Sequence, residues 1–207
     1  NEKDIVGQRA KRIAVQISLL HALTVGNPDG VLHLLENGVD MEVLDEHERT
    51  PLLLACGLGH YSLAEMLIER GANLHARDDE GRTPLISAYA NRHIALVQLL
   101  IERGADYDTG TKKDRTLLTE AAESGLVEII ECLLKQGVHV DMKDKWQTTA
   151  LSWAAQFGRQ TVVEYLLRKG AYVDSKDGWG CTPLSRAACG GHLIVVRQLI
   201  HQCANVN

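Results

Sequence analysis

The chain has 207 residues, of which 45% are apolar but only 4% aromatic, so its core must be built from Leu, Ile, Val and Ala, as helical stacks are. A formal net charge of −5 argues against a nucleic-acid groove, because phosphate binding needs a concentrated basic surface. No apolar run approaches the roughly 18 residues of a membrane span, and no secretory signal opens the chain.

Along the chain, residues 1–16 stand apart from the remainder. Ile5, Val6, Ile13, Val15 and Ile17, with Arg9, Lys11 and Arg12 between them, predict an amphipathic capping helix. A membrane or partner helix is the weaker alternative, because three bases are fewer than the usual clusters. A period then takes over. Thr50, Thr83, Thr116, Thr149 and Thr182 are spaced by 33 residues, and Leu52, Leu85, Leu118, Leu151 and Leu184 lie in the same register. So do Ala55, Ala88, Ala121, Ala154 and Ala187, and then Gly71, Gly104, Gly137 and Gly170, with Cys203 where a fifth glycine is due. One period earlier, Leu19, Ala22, Gly26, Leu34, Leu35 and Gly38 fit the same frame. The chain therefore divides into six units, 17–49, 50–82, 83–115, 116–148, 149–181 and 182–207, the last truncated.

Each unit reads as a pair of helices. Thr50 caps a helix with its hydroxyl, and Pro51 sits at the first helical position, where its missing N–H costs nothing. Thr83-Pro84 and Thr182-Pro183 repeat the device, while Leu117 and Ala150 replace the proline. The first helix is short and ends near Gly59, Gly125, Gly158 or Gly191. The second carries Leu63, Met66, Leu67 and Ile68 at helical spacing and ends at Gly71. The polar stretch after it, with Asp78 and Gly81, predicts a turn-rich finger. The fold class is all-α, each unit burying its apolar face on the next and none able to fold alone.

Thr50-Pro51-Leu52, Ala121-Ala122, Gly59-His60, Gly191-His192, Leu133-Leu134 and Gly71-Ala72 together resemble the ankyrin repeat, over about residues 17–207. The stretch from Asp174 to Ala188 is similar to long ankyrin arrays of fungal proteins. The resemblance implies a solenoid of helix-turn-helix units with projecting β-turn or hairpin fingers. It also implies a concave face of first helices and a binding role without chemistry of its own. Three departures matter. The family's histidine after Thr-Pro-Leu is replaced by Leu53, Ile86, Thr119, Ser152 and Ser185, so its hydrogen bonds pass to hydroxyls or are lost. Arg92 and Asp114 replace glycines, which predicts strained or reshaped loops in unit 83–115. Cys203 puts the last helix cap in doubt.

Register turns sequence into surface. Arg49, Arg82 and Arg115 precede their threonines and predict a column at the base of the fingers, either neutralised by nearby Glu46, Glu48, Asp79 and Glu80 or engaged by a partner. Trp146 and Trp179 share one fingertip position. Trp153 stands where other units carry Leu54, Ser87, Glu120 and Arg186, a variability that predicts incomplete burial; Phe157 lies one turn further on. The four aromatics are expected to contact a partner, or else to pack on one another and stiffen the fingers.

No constellation for catalysis, metal or cofactor emerges. The five cysteines are odd in number and lack zinc half-site spacing, which predicts reduced thiols in a cytoplasmic or nuclear protein. Gly110-Thr111-Lys112-Lys113 lacks the preceding glycine of a phosphate loop, and Lys112-Lys113 reads as a solvated fingertip. Asp141, Asp144, Asp174 and Asp177 read as turn residues, and His60 and His192 as structural. The expected role is a monomeric, non-catalytic module that binds a protein or peptide on its concave face, with no nucleic acid and no membrane. The alternative is a spacer or self-association segment of a larger regulatory protein. The apolar last helix, with Val195, Val196, Leu199 and Ile200, favours further repeats beyond Asn207.

Overall fold

The computed structural model describes residues 14–107, 115–202 and 204–205. The expected capping helix over 1–16 therefore lies largely outside the described residues, as do Asp114, the Lys112-Lys113 pair and Cys203. The chain divides into two compact units, Asn1–Asp106 and Tyr107–Asn207. The first holds α1 (14–24), α2 (Pro28–Glu36), α3 (Pro51–Leu58), α4 (Tyr61–Glu69), α5 (Pro84–Ala90) and α6 (Ile94–Glu102). The second holds α7 (Leu117–Ser124), α8 (Val127–Lys135), α9 (Ala150–Gln156), α10 (Gln160–Arg168), α11 (Pro183–Cys189) and α12 (Leu193–His201).

Within each unit the first helices of successive repeats form one layer and the second helices another. In the first unit α3 packs on α5, and α4 on both α2 and α6. In the second, α9 lies between α7 and α11, with α10 between α8 and α12. Among the described residues the fingers are built of turns, and the expected hairpin survives as one isolated bridge, Lys143 with Thr149.

The helix starts obey the threonine frame. Each threonine Oγ accepts the amide three residues on, from Leu53, Ile86, Thr119, Ser152 and Ser185, at 3.2–3.4 Å. α7 and α9 are capped this way without proline, so the hydroxyl is the common element. Where the family's histidine is missing, hydroxyls do take over in part. The Thr119 and Ser185 hydroxyls donate to the carbonyls of Thr116 and Thr182, and Ser185 Oγ also accepts the Thr182 amide. Ala55, Ala88, Ala121, Ala154 and Ala187 are all fully buried, so methyl-sized contacts let adjacent first helices approach.

The turn between paired helices carries a second device. The Nε2–H of His93 donates to Gly57 O at 3.2 Å and that of His192 to Gln156 O at 2.9 Å; Arg159 does the same to Glu123 O at 2.7 Å. The first two rings lie against Gly59 and Gly158. At the matching place in the third repeat Arg92 adopts φ 61°, the left-handed backbone of the glycines (Gly158 has φ 66°) on a residue with a side chain, so this loop is strained as the sequence foretells but not reshaped.

The fingers of the first unit are organised around a buried carboxylate. Asp78 accepts the amides of Glu80 and Arg82 at 3.0 and 2.8 Å through one oxygen, and Arg82 Nε at 2.8 Å through the other. Asp45 repeats this with the amides of His47 and Arg49 and with Arg49 Nε. Burial alone raises the Asp78 pKa, but the Arg82 guanidinium and the turn amides outweigh it and hold the group below 3.8.

These contacts set two stability tests. Gly59→Ala places a Cβ 2.6 Å from the His93 ring at φ +82°, whereas Gly71→Ala meets nothing at φ +85°. Chemical denaturation is expected to show about 1 kcal/mol lost for Gly71→Ala and at least about twice that for Gly59→Ala; equal losses would exclude the ring contact as a constraint. Asp78→Asn turns an amide donor or a weaker acceptor toward Arg82 and is expected to cost about 1–3 kcal/mol at pH 7. Because the folded-state pKa is depressed, this stabilisation is present above 3.8 and fades as pH falls below it, so the wild-type advantage narrows in acid. A gap that stays constant to pH 3 would exclude this linkage.

Candidate functional site

The second unit alters the finger chemistry, and the change builds a surface. Asp144 still accepts the amides of Trp146 and Thr148, each at 2.9 Å, and Asp177 those of Trp179 and Cys181, each at 2.9 Å. The residues before Thr149 and Thr182 are Thr148 and Cys181, so no finger arginine reaches the second oxygen. The donor comes instead from the first helix, nine residues on. Trp153 Nε1–H donates to Asp144 Oδ2 at 2.8 Å, and Arg186 Nε–H to Asp177 Oδ2 at 2.6 Å. Burial raises the Asp177 pKa, but the Cys181 amide, the Arg186 guanidinium and the Trp179 amide together carry it below 3.8.

Five of the seven residues singled out in the sequence come together here, Trp179 through Arg186. The indoles of Trp146 and Trp153 meet edge to face, 6.4 Å between centroids, and Trp153 stacks on Phe157 at 6.1 Å. Arg115 joins them with its guanidinium carbon 3.7 Å from the centre of a Trp153 ring and 5.7 Å from Trp146, while it also pairs with Glu123. Arg186 lies 5.6 Å from Trp153 and 5.7 Å from Trp179, bonded to Asp177 and Gln156. Rings and guanidinium groups thus alternate, each cation carrying a carboxylate partner. Guanidinium over indole is favourable for the ring quadrupole, at about 0.5–2 kcal/mol a contact.

Exposure differs sharply across the cluster. Trp179 is 67% exposed and Phe157 38%, whereas Trp146 is half-buried. Trp153 corrects the sequence reading: at 8% exposed it is buried, because its indole N–H has a carboxylate and its faces have rings and guanidinium groups. A position that elsewhere holds glutamate or arginine can bury a tryptophan when the polar atom keeps a partner. Arg49 and Arg82 do not join the cluster; each is bonded to its own finger aspartate, Asp45 and Asp78, rather than chiefly to the glutamates expected. Arg186 belongs to the cluster and was missed as a site residue. Its signal was Asp177 standing without an arginine four residues later.

The thiols add no chemistry to the site. Among the described residues Cys56, Cys132, Cys181 and Cys189 form no disulfide, and burial pushes the Cys56 thiol up to about 12. Among the described residues no group of His, Cys, Asp and Glu could hold a metal ion, and no helix is long and apolar enough to cross a membrane.

Known proteins place this architecture. The chain is similar to the crystal structure of the human ASB11 ankyrin repeat domain, with 30% identity, a TM-score of 0.76, and 91% of this chain and 85% of that one covered. It is also similar to a chain in the complex of the predatory endopeptidase Bd0816 from Bdellovibrio bacteriovorus with the immunity protein Bd3460. There the identity is 26% and the TM-score 0.76, over 89% of this chain and 97% of that one. No curated protein matches the chain. Sequence models of ankyrin repeats match residues 19–111 and 107–177 in sets of three copies, and a single-repeat model matches 179–207. With threonine caps, alanine contacts and glycine turns recurring through all that length, the chain belongs to the ankyrin repeat family, whose members are protein–protein interaction modules.

Proposed function

We propose that this chain is a non-catalytic module that holds a protein or peptide on the face of its second unit made by the first helices and fingers, the concave face of such arrays. Trp179, Phe157 and the half-buried Trp146 form the apolar part of that surface, with Trp153 buried beneath them and Arg115 and Arg186 against the rings. The observation that carries the reading is Trp179, 67% exposed yet backed by a guanidinium that two further side chains hold in place. An aromatic side chain immobilised before the partner arrives loses little entropy on binding, which is what makes such residues hot spots. Arg49 and Arg82 play a lesser part, since their finger aspartates already engage them. That the similar endopeptidase–immunity protein structure is itself a protein complex agrees with a protein partner. Nothing in this reading requires a cofactor, a nucleic acid or a membrane.

A second reading, self-association, has one observation in its favour: Leu193, Ile194 and Ile200 on α12 are 61%, 53% and 48% exposed. Light scattering at high protein concentration separates the two. A strictly monomeric chain removes self-association, and a concentration-dependent dimer lost on Ile194→Glu supports it.

For the leading reading, Trp179→Ala is expected to leave the circular dichroism spectrum and melting temperature unchanged. Capture of the cellular partner should weaken about 30-fold, the equivalent of a hot-spot loss of about 2 kcal/mol. If partner capture survives the double change Trp146→Ala and Trp179→Ala at full strength, the partner sits elsewhere.

A further inference from the structure

The three indoles of the second unit differ in what their N–H groups meet. Trp153 Nε1–H is committed to Asp144 at 2.8 Å. Among the described residues Trp146 Nε1 and Trp179 Nε1 have no hydrogen-bond partner in the chain, although one ring is half-buried and the other 67% exposed. Both are donors only, so what they lack is an acceptor from outside. Two bonds tie their fingertips together. The Gly178 amide donates to the Trp146 carbonyl at 2.9 Å, and Lys143 Nζ to the Lys176 carbonyl at 3.0 Å. A Cβ on Gly178 would lie 3.0 Å from that same Trp146 carbonyl, so the approach is close. The two tryptophan positions therefore stand one helix layer apart, roughly 8–10 Å.

Charge around the rings is matched. Arg115 lies over Trp146 and Arg186 over Trp179, each at 5.7 Å, and each guanidinium has its own carboxylate, Glu123 and Asp177. In the fingers themselves Lys143, Lys145 and Lys176 stand against Asp141, Asp144 and Asp174. A cationic ligand would meet rings whose quadrupoles already face guanidinium groups, and an anionic one would meet no net positive charge. A neutral, apolar occupant suits them. Its backbone must also have carbonyls to offer. A helix uses its own in its ladder, and a strand needs a sheet edge, whereas the described fingers hold only one isolated bridge. A polyproline II segment has no internal hydrogen bonds, and three of its residues, at about 3.1 Å each, span about 9 Å. That turn matches the layer spacing, so prolines three residues apart fall one on each ring.

We propose that the partner presents a neutral, proline-rich segment in the polyproline II conformation, with prolines at i and i+3 seated on Trp146 and Trp179 and its carbonyls accepting their indole N–H groups. The inference rests on the binding surface proposed above and names the chemistry that surface accepts. Both sides are stiff before they meet, the prolines by their rings and the indoles by the guanidinium groups against them, so little entropy is lost on docking.

Fluorescence anisotropy on the full chain tests this with three labelled peptides of about ten residues, built of Ala, Gln and Pro. One has prolines at i and i+3, one has them at i and i+2, and one has alanine at both places. The first is expected to bind about tenfold or more tightly than the alanine peptide, and the second to lose most of that advantage. Trp179→Ala should abolish the preference. Trp179→Phe, which keeps a ring but has no N–H, should weaken the first peptide about fivefold, the share of one hydrogen bond. No binding of the first peptide, equal affinity for all three, or an unchanged affinity in Trp179→Phe would overturn the proposal. The two levels of inference separate on the cellular partner. If Trp179→Ala weakens its capture but the proline spacing makes no difference, only the polyproline inference falls. If capture survives Trp146→Ala with Trp179→Ala, the proposed surface falls and this inference with it.

Discussion

A carboxylate oxygen inside a folded chain must meet a donor, and that demand, repeated at Asp45, Asp78, Asp144 and Asp177, organises everything on the finger side of this protein. One oxygen of each aspartate is fixed by the turn itself, which supplies two amides. The other is left over. Where an arginine stands four residues later, as at Arg49 and Arg82, the finger closes on itself and the matter ends there. Where Thr148 or Cys181 stands instead, the oxygen draws its donor from the first helix of the next repeat. Trp153 and Arg186 are then held against the finger instead of extending into solvent.

Arg115 shows the converse case. The residue four before it is Thr111 where Arg49 and Arg82 have an aspartate, and its guanidinium lies over Trp153 and pairs with Glu123 on α7. A cation so deeply placed would be costly if unmatched, because a buried charge loses its hydration. Here the carboxylate offsets the charge and the indole face replaces part of the water. Three small shifts of partner, at Asp144, Asp177 and Arg115, thus account for the alternation of rings and guanidinium groups.

The frame was legible in the sequence because it depends on residues with few substitutes. A hydroxyl at the helix start, a methyl between helices and a residue tolerant of positive φ at the turn recur at one spacing, and the structure places Thr149, Ala154 and Gly158 in those roles without change. Even the exception at Arg92 was foreseeable from the missing glycine. The cluster was only half legible. Trp146 and Trp179 could be assigned to fingertips by register alone. Trp153 could not be assigned to the interior, because variability at its position suggested exposure, while what buries it is a hydrogen bond to Asp144 nine residues earlier. Unpaired aspartates were the readable sign, and counting donors against acceptors repeat by repeat would have found both Trp153 and Arg186.

The same pairing of donors with acceptors bears on what Asp177 can do chemically. A carboxylate that works as a base has to exchange its proton near neutral pH, within reach of a substrate. Asp177 is instead held below its ordinary value by two turn amides and a guanidinium, and its side chain is wholly covered. Trp179 and Phe157 reach solvent on this face, 67% and 38% exposed, and so offer apolar area to be buried. Stabilising the finger and presenting the aromatic are one arrangement seen from two sides: the donor that satisfies the aspartate beneath is the cation that steadies the ring above.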